Sequence, residues 1–394
     1  MNCEELKVGS YRRISEGLLL ALCILVGAFS GQRDFRFFQC AAPIFFGGGD
    51  VYAGAEYLTC AFPGGLPTDR AAYAFPYPPQ IFALLAPVFL LPELLQRMVF
   101  VCASACAATT AFAVLTSVFR LHRSMAHARA ALLVAITSLP LLSAIAMGQL
   151  SSFSLLLTAG FIACSAWLSA RGCLIQGLLL GAFIAKPQIV WLLGLGSVIA
   201  APELLRRRLL IGAGASALAI TVAAWMMNPG STAQFTGKDF ESLLSFSAPT
   251  IPALLSDWLP MSKVAWAIIC GGLALIFVFK TRVRKLPPPA LASLLLAASV
   301  LTTPYLWSYD FTLLLPLAFA ALSFDSGPLP LGARLMGLLA CNGALATDYV
   351  RAFIAGQGKP DGADVWYPCV MLAIFAASAW RACLDERAAE DSVG

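Results

Sequence analysis

The chain has 394 residues, of which 59% are apolar and 12% charged, with a formal net charge of +5. Soluble domains run at about 45–50% apolar and about 25% charged, so this composition describes a membrane protein that crosses the bilayer many times. The small and scattered positive charge excludes a nucleic-acid-binding face. Most of the 12 cysteines lie inside apolar runs such as VCASACAATT, where they act as small core residues rather than as a disulfide scaffold.

The first apolar run, GLLLALCILVGAFSG, follows Arg12 and Arg13 and ends in Ala28-Phe29-Ser30, a weak likeness to a signal-peptidase site. It is expected to remain as an uncleaved anchor. About 20 apolar residues are needed for a span. Spans are accordingly expected near 14–32, 97–119, 129–148, 150–170, 207–227, 263–279, 288–303, 311–324, 334–350 and 365–381 of a single integral membrane domain. With the N-terminus in the cytoplasm, the cytoplasmic segments hold most of the 26 lysines and arginines, and more than half of the acids fall on the other side. That asymmetry orients the chain with both termini inside.

Two segments depart from simple spans. PPQIFALLAPVFLLP, residues 78–92, is too short to cross and is bracketed by prolines, so it reads as an interfacial or re-entrant helix within an outer loop covering 32–96. Residues 174–201 are broken by Lys186-Pro187-Gln188 and read as a hairpin of two short helices with Lys186 at the bend. Cys40 and Cys60 share the outer loop, where a bridge can form in an oxidising compartment. The tail 382–394, DERAAEDSVG at its end, is expected to be disordered.

Unusual polar residues collect at the outer ends of the spans. Asp34 begins DFRFFQCAA, and an acid there is either a helix cap paired with Arg33 or Arg36, or a carboxylate base at a membrane-edge cavity. Asp50, after three glycines, is as readily a turn residue as a ligand-binding one, and Tyr52 follows it. Asp69 and Tyr73 lie in the same loop, and Tyr77 sits in PYPP, whose prolines also serve simply to stop the loop and start a helix. Gln149, in AMGQLSSF, is either an interhelical hydrogen-bonding group or part of a site. Lys186, beside Gln188, either snorkels to an interface or holds an anion, for which phosphate is the expected choice. Tyr305, Trp307, Tyr309 and Asp310, in TTPYLWSYD, read as an interfacial aromatic belt or as a sugar pocket of flat ring faces and directed hydrogen bonds. Both histidines, His122 and His127, lie in the cytoplasmic RLHRSMAHARA loop, and no CxxC, HExxH, GxxxxGK[ST], GxSxG or dinucleotide pattern occurs.

Taken in order, Asp34-Phe35 after the first span, GGxDVY, FPYPP, GQLSSFSLLL, GLLLGAFIAKPQ and TTPYLWSYDFTLLLP resemble glycosyltransferase family 87, over residues 14 to 325. That family includes mannosyl- and arabinofuranosyltransferases. The resemblance implies an all-α polytopic protein of the GT-C type, with juxtamembrane helices in the first outer loop. It implies a sugar donor on a polyprenyl phosphate, a lipid or glycan acceptor, and no cofactor or essential metal. Asp34 matches the family's acid and would act as catalytic base. Lys186, with Arg33 or Arg36, would hold the donor phosphate. Asp50, Tyr52, Tyr77, Gln149, Gln188, Tyr305, Trp307, Tyr309 and Asp310 would line the sugar and acceptor sites. The expected location is a bacterial inner membrane with the site facing outward. Some family members carry histidine where this chain has Tyr-Leu-Trp-Ser-Tyr-Asp, so a histidine-assisted version of the reaction is not expected. A transporter or flippase with Lys186 on its path is the competing reading, but it requires polar residues at mid-depth in several spans, and here they crowd one face.

Overall fold

The computed structural model describes residues 3–52, 55–62, 75–167, 169–236, 248–324, 329–354 and 364–391. Asp69 and Tyr73 lie outside the described residues. Among the described residues the chain is a bundle of α-helices joined by short turns, with no strand.

Helix α1 (Cys3–Phe29) leads through a sharp turn into α2 (Arg33–Phe46), whose axis departs from that of α1 by 68°. The turn is made by Gln32, held in the left-handed region at φ 45° and buried. Short helices α3 (Ala55–Ala61) and α4 (Gln80–Phe89) follow before the long α5 (Glu93–Val118). These three short helices are the juxtamembrane elements of the first loop. Phe35, Phe38, Ala42 and Phe45 fall on one face of α2, and that face is buried.

Beyond α5 come α6 (Met125–Ile136), α7 (Leu139–Met147), α8 (Ser151–Ser165), α9 (Ala170–Ala182), α10 (Trp191–Ala200), α11 (Glu203–Met227) and α12 (Ser231–Thr236). The bundle is completed by α13 (Ile251–Trp258), α14 (Lys263–Lys280), α15 (Pro288–Thr302), α16 (Leu315–Ser323), α17 (Leu331–Ile354) and α18 (Trp366–Asp391). Starts are marked by the expected caps: Ser124, Ser169, Thr250 and Ser262 each accept a backbone N–H from the first turn.

Among the described residues, three helices are long and apolar enough to cross a membrane, α5, α11 and α14, or five if the bent pairs α1–α2 and α6–α7 each count as one span. The stretch expected as one span at 129–148 is bent by 44° between α6 and α7, where Thr137-Ser138 precedes Pro140 in the first turn of α7. The stretch expected at 311–324 begins as a 3-10 turn over Ser308–Leu314 and becomes α-helical only at α16. At the other end, α18 carries helix through Asp391, into the tail expected to be disordered, because its Ala, Glu and Arg are good helix formers.

Two cores result. The larger joins α1, α5–α10 and α14–α18, and the smaller lies under the first loop and is mostly aromatic. In the smaller core Phe45 stacks on Phe82 at 4.2 Å, Phe35 meets Phe100 at 4.3 Å, and Phe38 meets Tyr77 at 4.9 Å. Such ring pairs contribute about 0.5–1.5 kcal/mol each beyond burial. The Cys40–Cys60 disulfide ties α2 to α3, and buried Asn228, at the end of α11, donates to the carbonyls of Phe45 and Gly49. Helix α2 is thereby held at its middle and its C-terminal end.

Its start is fixed by α7. The helix ends at Gly148, left-handed at φ 73°, and a Cβ added there would lie 2.6 Å from Cβ of Phe35. The Gln32 side chain donates to the carbonyl of Ile145 at 3.2 Å across the same contact. Gly148→Ala is therefore expected to lower the melting temperature in detergent, since a left-handed alanine costs about 1–2 kcal/mol and the overpacking costs about 1–3 kcal/mol more. Gly214→Ala, whose Cβ would meet nothing within 4 Å, serves as the control and is expected to leave melting unchanged or slightly raised.

Candidate active site

The chain breaks between α9 and α10 because two 3-10 turns, Phe183–Ala185 and Pro187–Ile189, flank Lys186 at φ −147°, ψ 59°. Proline at 187 removes a backbone donor and disfavours helix in the residue before it. The broken ends are satisfied from elsewhere in the fold. The Ser299 hydroxyl on α15 accepts the N–H groups of both Leu192 and Leu193 at 3.0 Å. On the incoming side, α9 and α11 pack backbone to backbone: a Cβ at Gly177 would lie 2.2 Å from the carbonyl oxygen of Leu209. Lys186 is thus placed by rigid neighbours.

Its ammonium Nζ lies 3.0 Å from Oδ1 of Asp310, and the two side chains are 6% and 4% exposed. The Ser151 hydroxyl, at the start of α8, donates to the same Oδ1 at 2.6 Å. Nζ also stands over the Tyr77 ring at 5.4 Å and the Tyr309 ring at 5.5 Å. Ser151 was not singled out in the sequence, although it lies inside GQLSSF. A serine in an apolar helix usually bonds its own preceding turn, and only the fold shows that this one faces Asp310.

A second polar chain begins at Tyr77, whose hydroxyl donates to Oε1 of Gln149 at 2.8 Å. The Gln149 amide Nε2 donates in turn to Oδ2 of Asp34. Tyr52 joins it by donating to the backbone carbonyl of Tyr77 at 3.0 Å, and Asp50 accepts the Tyr52 N–H at 2.7 Å in an Asx turn. Asp50 and Tyr52 therefore brace the loop behind Tyr77. Tyr77 meets both chains, one through its hydroxyl and the other through its ring face.

Asp34 lies in the first turn of α2, beyond the end of α1, and is half-buried. Burial pushes its carboxyl upward from the usual carboxylate range, against the Gln149 hydrogen bond and the charges of Arg33 and Lys186. Burial also pushes the Tyr77 phenol well above its ordinary value, so it stays a neutral donor.

A cavity of about 540 Å³ opens beside this network. Its wall includes Tyr77, Lys186, Gln188, Tyr305, Trp307 and Asp310, with Gln80, Phe235 and Val264 closing other sides. Trp307 stacks near Tyr309 with ring centres 6.2 Å apart, and Tyr305 meets Trp307 edge-on at 5.8 Å. Mostly apolar walls with a few fixed polar groups are the usual form of a small-molecule site. Asp34 is not among the lining residues; it stands behind Gln149 and Tyr77. Arg33 and Arg36 lie on the exposed face of α2, and neither lines the cavity.

The model of the family described as glycosyltransferase family 87 matches residues 75–304, from the residue pair before Tyr77 to the edge of the Tyr305 loop. The chain belongs to glycosyltransferase family 87. The match covers more than half of the chain and includes Tyr77, Gln149, Lys186 and Gln188, while Asp310 falls just beyond its end and Asp34 well before its start. The crystal structure of ArnT from Cupriavidus metallidurans bound to undecaprenyl phosphate is similar at a TM-score of 0.46 and 13% identity, over 95% of this chain and 78% of that one. No curated protein matches the chain in sequence at a significant level. This member of family 87 is a multi-pass membrane glycosyltransferase.

The Lys186–Asp310 pair carries a direct stability test. Lys186→Met strands a buried carboxylate and is expected to cost about 3–5 kcal/mol, whereas Lys186→Met combined with Asp310→Leu is expected to recover most of that loss. A double-mutant cycle on thermal unfolding in detergent reads the difference.

Proposed function

We propose that the protein is an inverting transferase that moves a sugar from a polyprenyl phosphate carrier to a hydroxyl of a lipid or glycan acceptor. The proposed sugar is mannose, with arabinofuranose second. The observation that carries this reading is the cavity beside the buried Lys186–Asp310 pair, joined through Tyr77 and Gln149 to Asp34. One end of that network suits a phosphate and the other suits a proton acceptor.

In the proposed reaction the Asp34 carboxylate takes the proton of the acceptor hydroxyl as the hydroxyl oxygen attacks the anomeric carbon. The bond from that carbon to the phosphate oxygen breaks on the opposite side, and its electron pair leaves with the polyprenyl phosphate. A single displacement inverts the anomeric centre. Lys186 has three N–H donors; Asp310 takes one, and the others meet the charge growing on the carrier phosphate. Tyr305, Trp307 and Gln188 on the cavity wall meet the sugar. Arg33, next to Asp34, favours its ionised form.

The charge asymmetry of the loops supports an outward-facing site on a bacterial inner membrane with both termini in the cytoplasm. The Cys40–Cys60 disulfide within the first loop supports the same side, since such bridges persist in oxidising compartments.

Purified protein supplied with radiolabelled polyprenyl phosphate mannose, or the arabinofuranose equivalent, and a membrane lipid extract tests the reading. Asp34→Asn is expected to lower turnover by about 10²-fold or more. Turnover equal to wild type would remove Asp34 as base, and no product with either donor would remove the donor class. The wild-type rate should fall with acid above the ordinary carboxylate range, because burial raises Asp34. The stability sign runs the other way. A carboxyl raised by folding favours the folded state at low pH and loses that contribution as pH rises through the folded value, so Asp34→Asn should melt higher than wild type at neutral pH.

A further inference from the structure

Gln149 is 3% exposed, and each end of its amide is committed: the carbonyl oxygen to the Tyr77 hydroxyl, the amide nitrogen to Asp34. It has no place on the cavity wall. A glutamine amide can turn end for end at almost no intrinsic cost, and its orientation is set by its partners. Here the deciding partner is the Asp34 carboxylate, which when ionised can only accept, so the amide nitrogen faces it; the Tyr77 hydroxyl, kept protonated by burial, then donates to the carbonyl end.

Tyr77 is itself immobilised. Pro76 and Pro78 restrict the backbone on both sides of it, the Tyr52 hydroxyl donates to its carbonyl, and its ring packs on Phe38 and beneath the Lys186 ammonium. Gln149 is fixed at its backbone as well, where its N–H donates to Ala144 past the left-handed Gly148, and Gly148 abuts Phe35 next to Asp34. The prolines of PYPP thus set a tyrosine, the tyrosine anchors an amide, and the amide holds a carboxylate 115 residues away from it in sequence.

We propose that Gln149 is a positioning residue rather than a sugar ligand: anchored at its carbonyl end by Tyr77, it holds Oδ2 of Asp34 so that Oδ1 is left for the proton of the acceptor hydroxyl. The role of Asp34 as base is taken from the proposed function, but the orientation of its carboxylate stands on the hydrogen bonds themselves. The same amide favours the ionised carboxylate. Other titratable or charged groups acting with Asp34 are Arg33 on its own helix, Tyr57 on α3, Lys186, Tyr77, and Tyr305 and Tyr309 of the loop before α16. The two substitutions below leave all the charged ones in place.

The test titrates Asp34 in the purified, ligand-free protein by infrared difference spectroscopy, its carboxylate band assigned by loss in Asp34→Asn. Gln149→Leu is expected to move the midpoint to higher pH by about one unit or more, the scale of a hydrogen bond to a charged group. Tyr77→Phe, which deletes a single oxygen, is expected to move it in the same direction by less, because the amide keeps its bond to Asp34 but loses the anchor on its carbonyl end. A midpoint unchanged from wild type in both variants overturns the proposal. Because no donor is needed, this outcome is independent of the turnover of Asp34→Asn: an inactive Asp34→Asn with unmoved midpoints sinks only the positioning role, and an active Asp34→Asn sinks only the base. In turnover, Gln149→Leu should lower kcat and carry the acid limb upward with the titration, leaving KM for the donor near wild type; a raised KM with an unmoved limb would restore Gln149 as a ligand.

Discussion

A lysine and an aspartate paired inside an apolar bundle constrain everything around them. Removing two charges from water costs several kcal/mol per ion, and their attraction offsets this only where geometry is tight and the remaining hydrogen-bonding capacity is used. Lys186 and Asp310 meet both conditions: Ser151 donates to the carboxylate, and two tyrosine rings face the ammonium. The break at Lys186, the serine of α15 that caps the following helix, and the close approach of α9 and α11 together hold that pair in place. A pair of this kind is poor stabilising material. It is good preorganised electrostatics, because the fold and not the ligand meets the cost of orienting it.

The first loop solves a different problem. It holds Asp34, the proposed base, partly desolvated yet ionisable. The aromatic core under α2 and α4 supplies the desolvation, and Gln149, Arg33 and Lys186 moderate it. Disulfide Cys40–Cys60 and Asn228 restrain the helix on which the carboxylate rides. Tyr77 sits where the two solutions touch, with its ring against the cation and its hydroxyl on the chain leading to Asp34. Changes at either end of the network are therefore transmitted through one rigid residue.

Much of this was legible in the sequence. Composition alone announces a polytopic membrane protein, and the charge in an apolar stretch at Lys186-Pro187 announces a break, because neither residue suits a helix interior in a bilayer. Polar residues at the ends of apolar runs marked Asp34, Tyr77, Gln149 and Asp310, each beside a plain structural alternative such as a helix cap or an interhelical hydrogen bond. What the sequence withheld was pairing. Lys186 meets Asp310 across 124 residues and Gln149 meets Asp34 across 115, distances over which periodicity says nothing. Hence a phosphate ligand emerged as an ion-pair partner first, and a proposed sugar ligand emerged as an amide with both ends occupied. Ser151, Ser299 and Asn228 were invisible for a related reason: small polar side chains in helices satisfy themselves locally by default, and only the neighbouring helix reveals a longer reach.

The central claim is that the cavity beside Lys186 receives the phosphate of a polyprenyl carrier. It is tested most directly by comparing how undecaprenyl phosphate and undecaprenol bind the purified protein and its charge-neutral double variant, Lys186→Met with Asp310→Leu. The account predicts that wild type binds the phosphate at least ten-fold more tightly than the alcohol and that the double variant loses this preference. Equal binding of both lipids to wild type, or a phosphate preference that survives in the folded double variant, would contradict it.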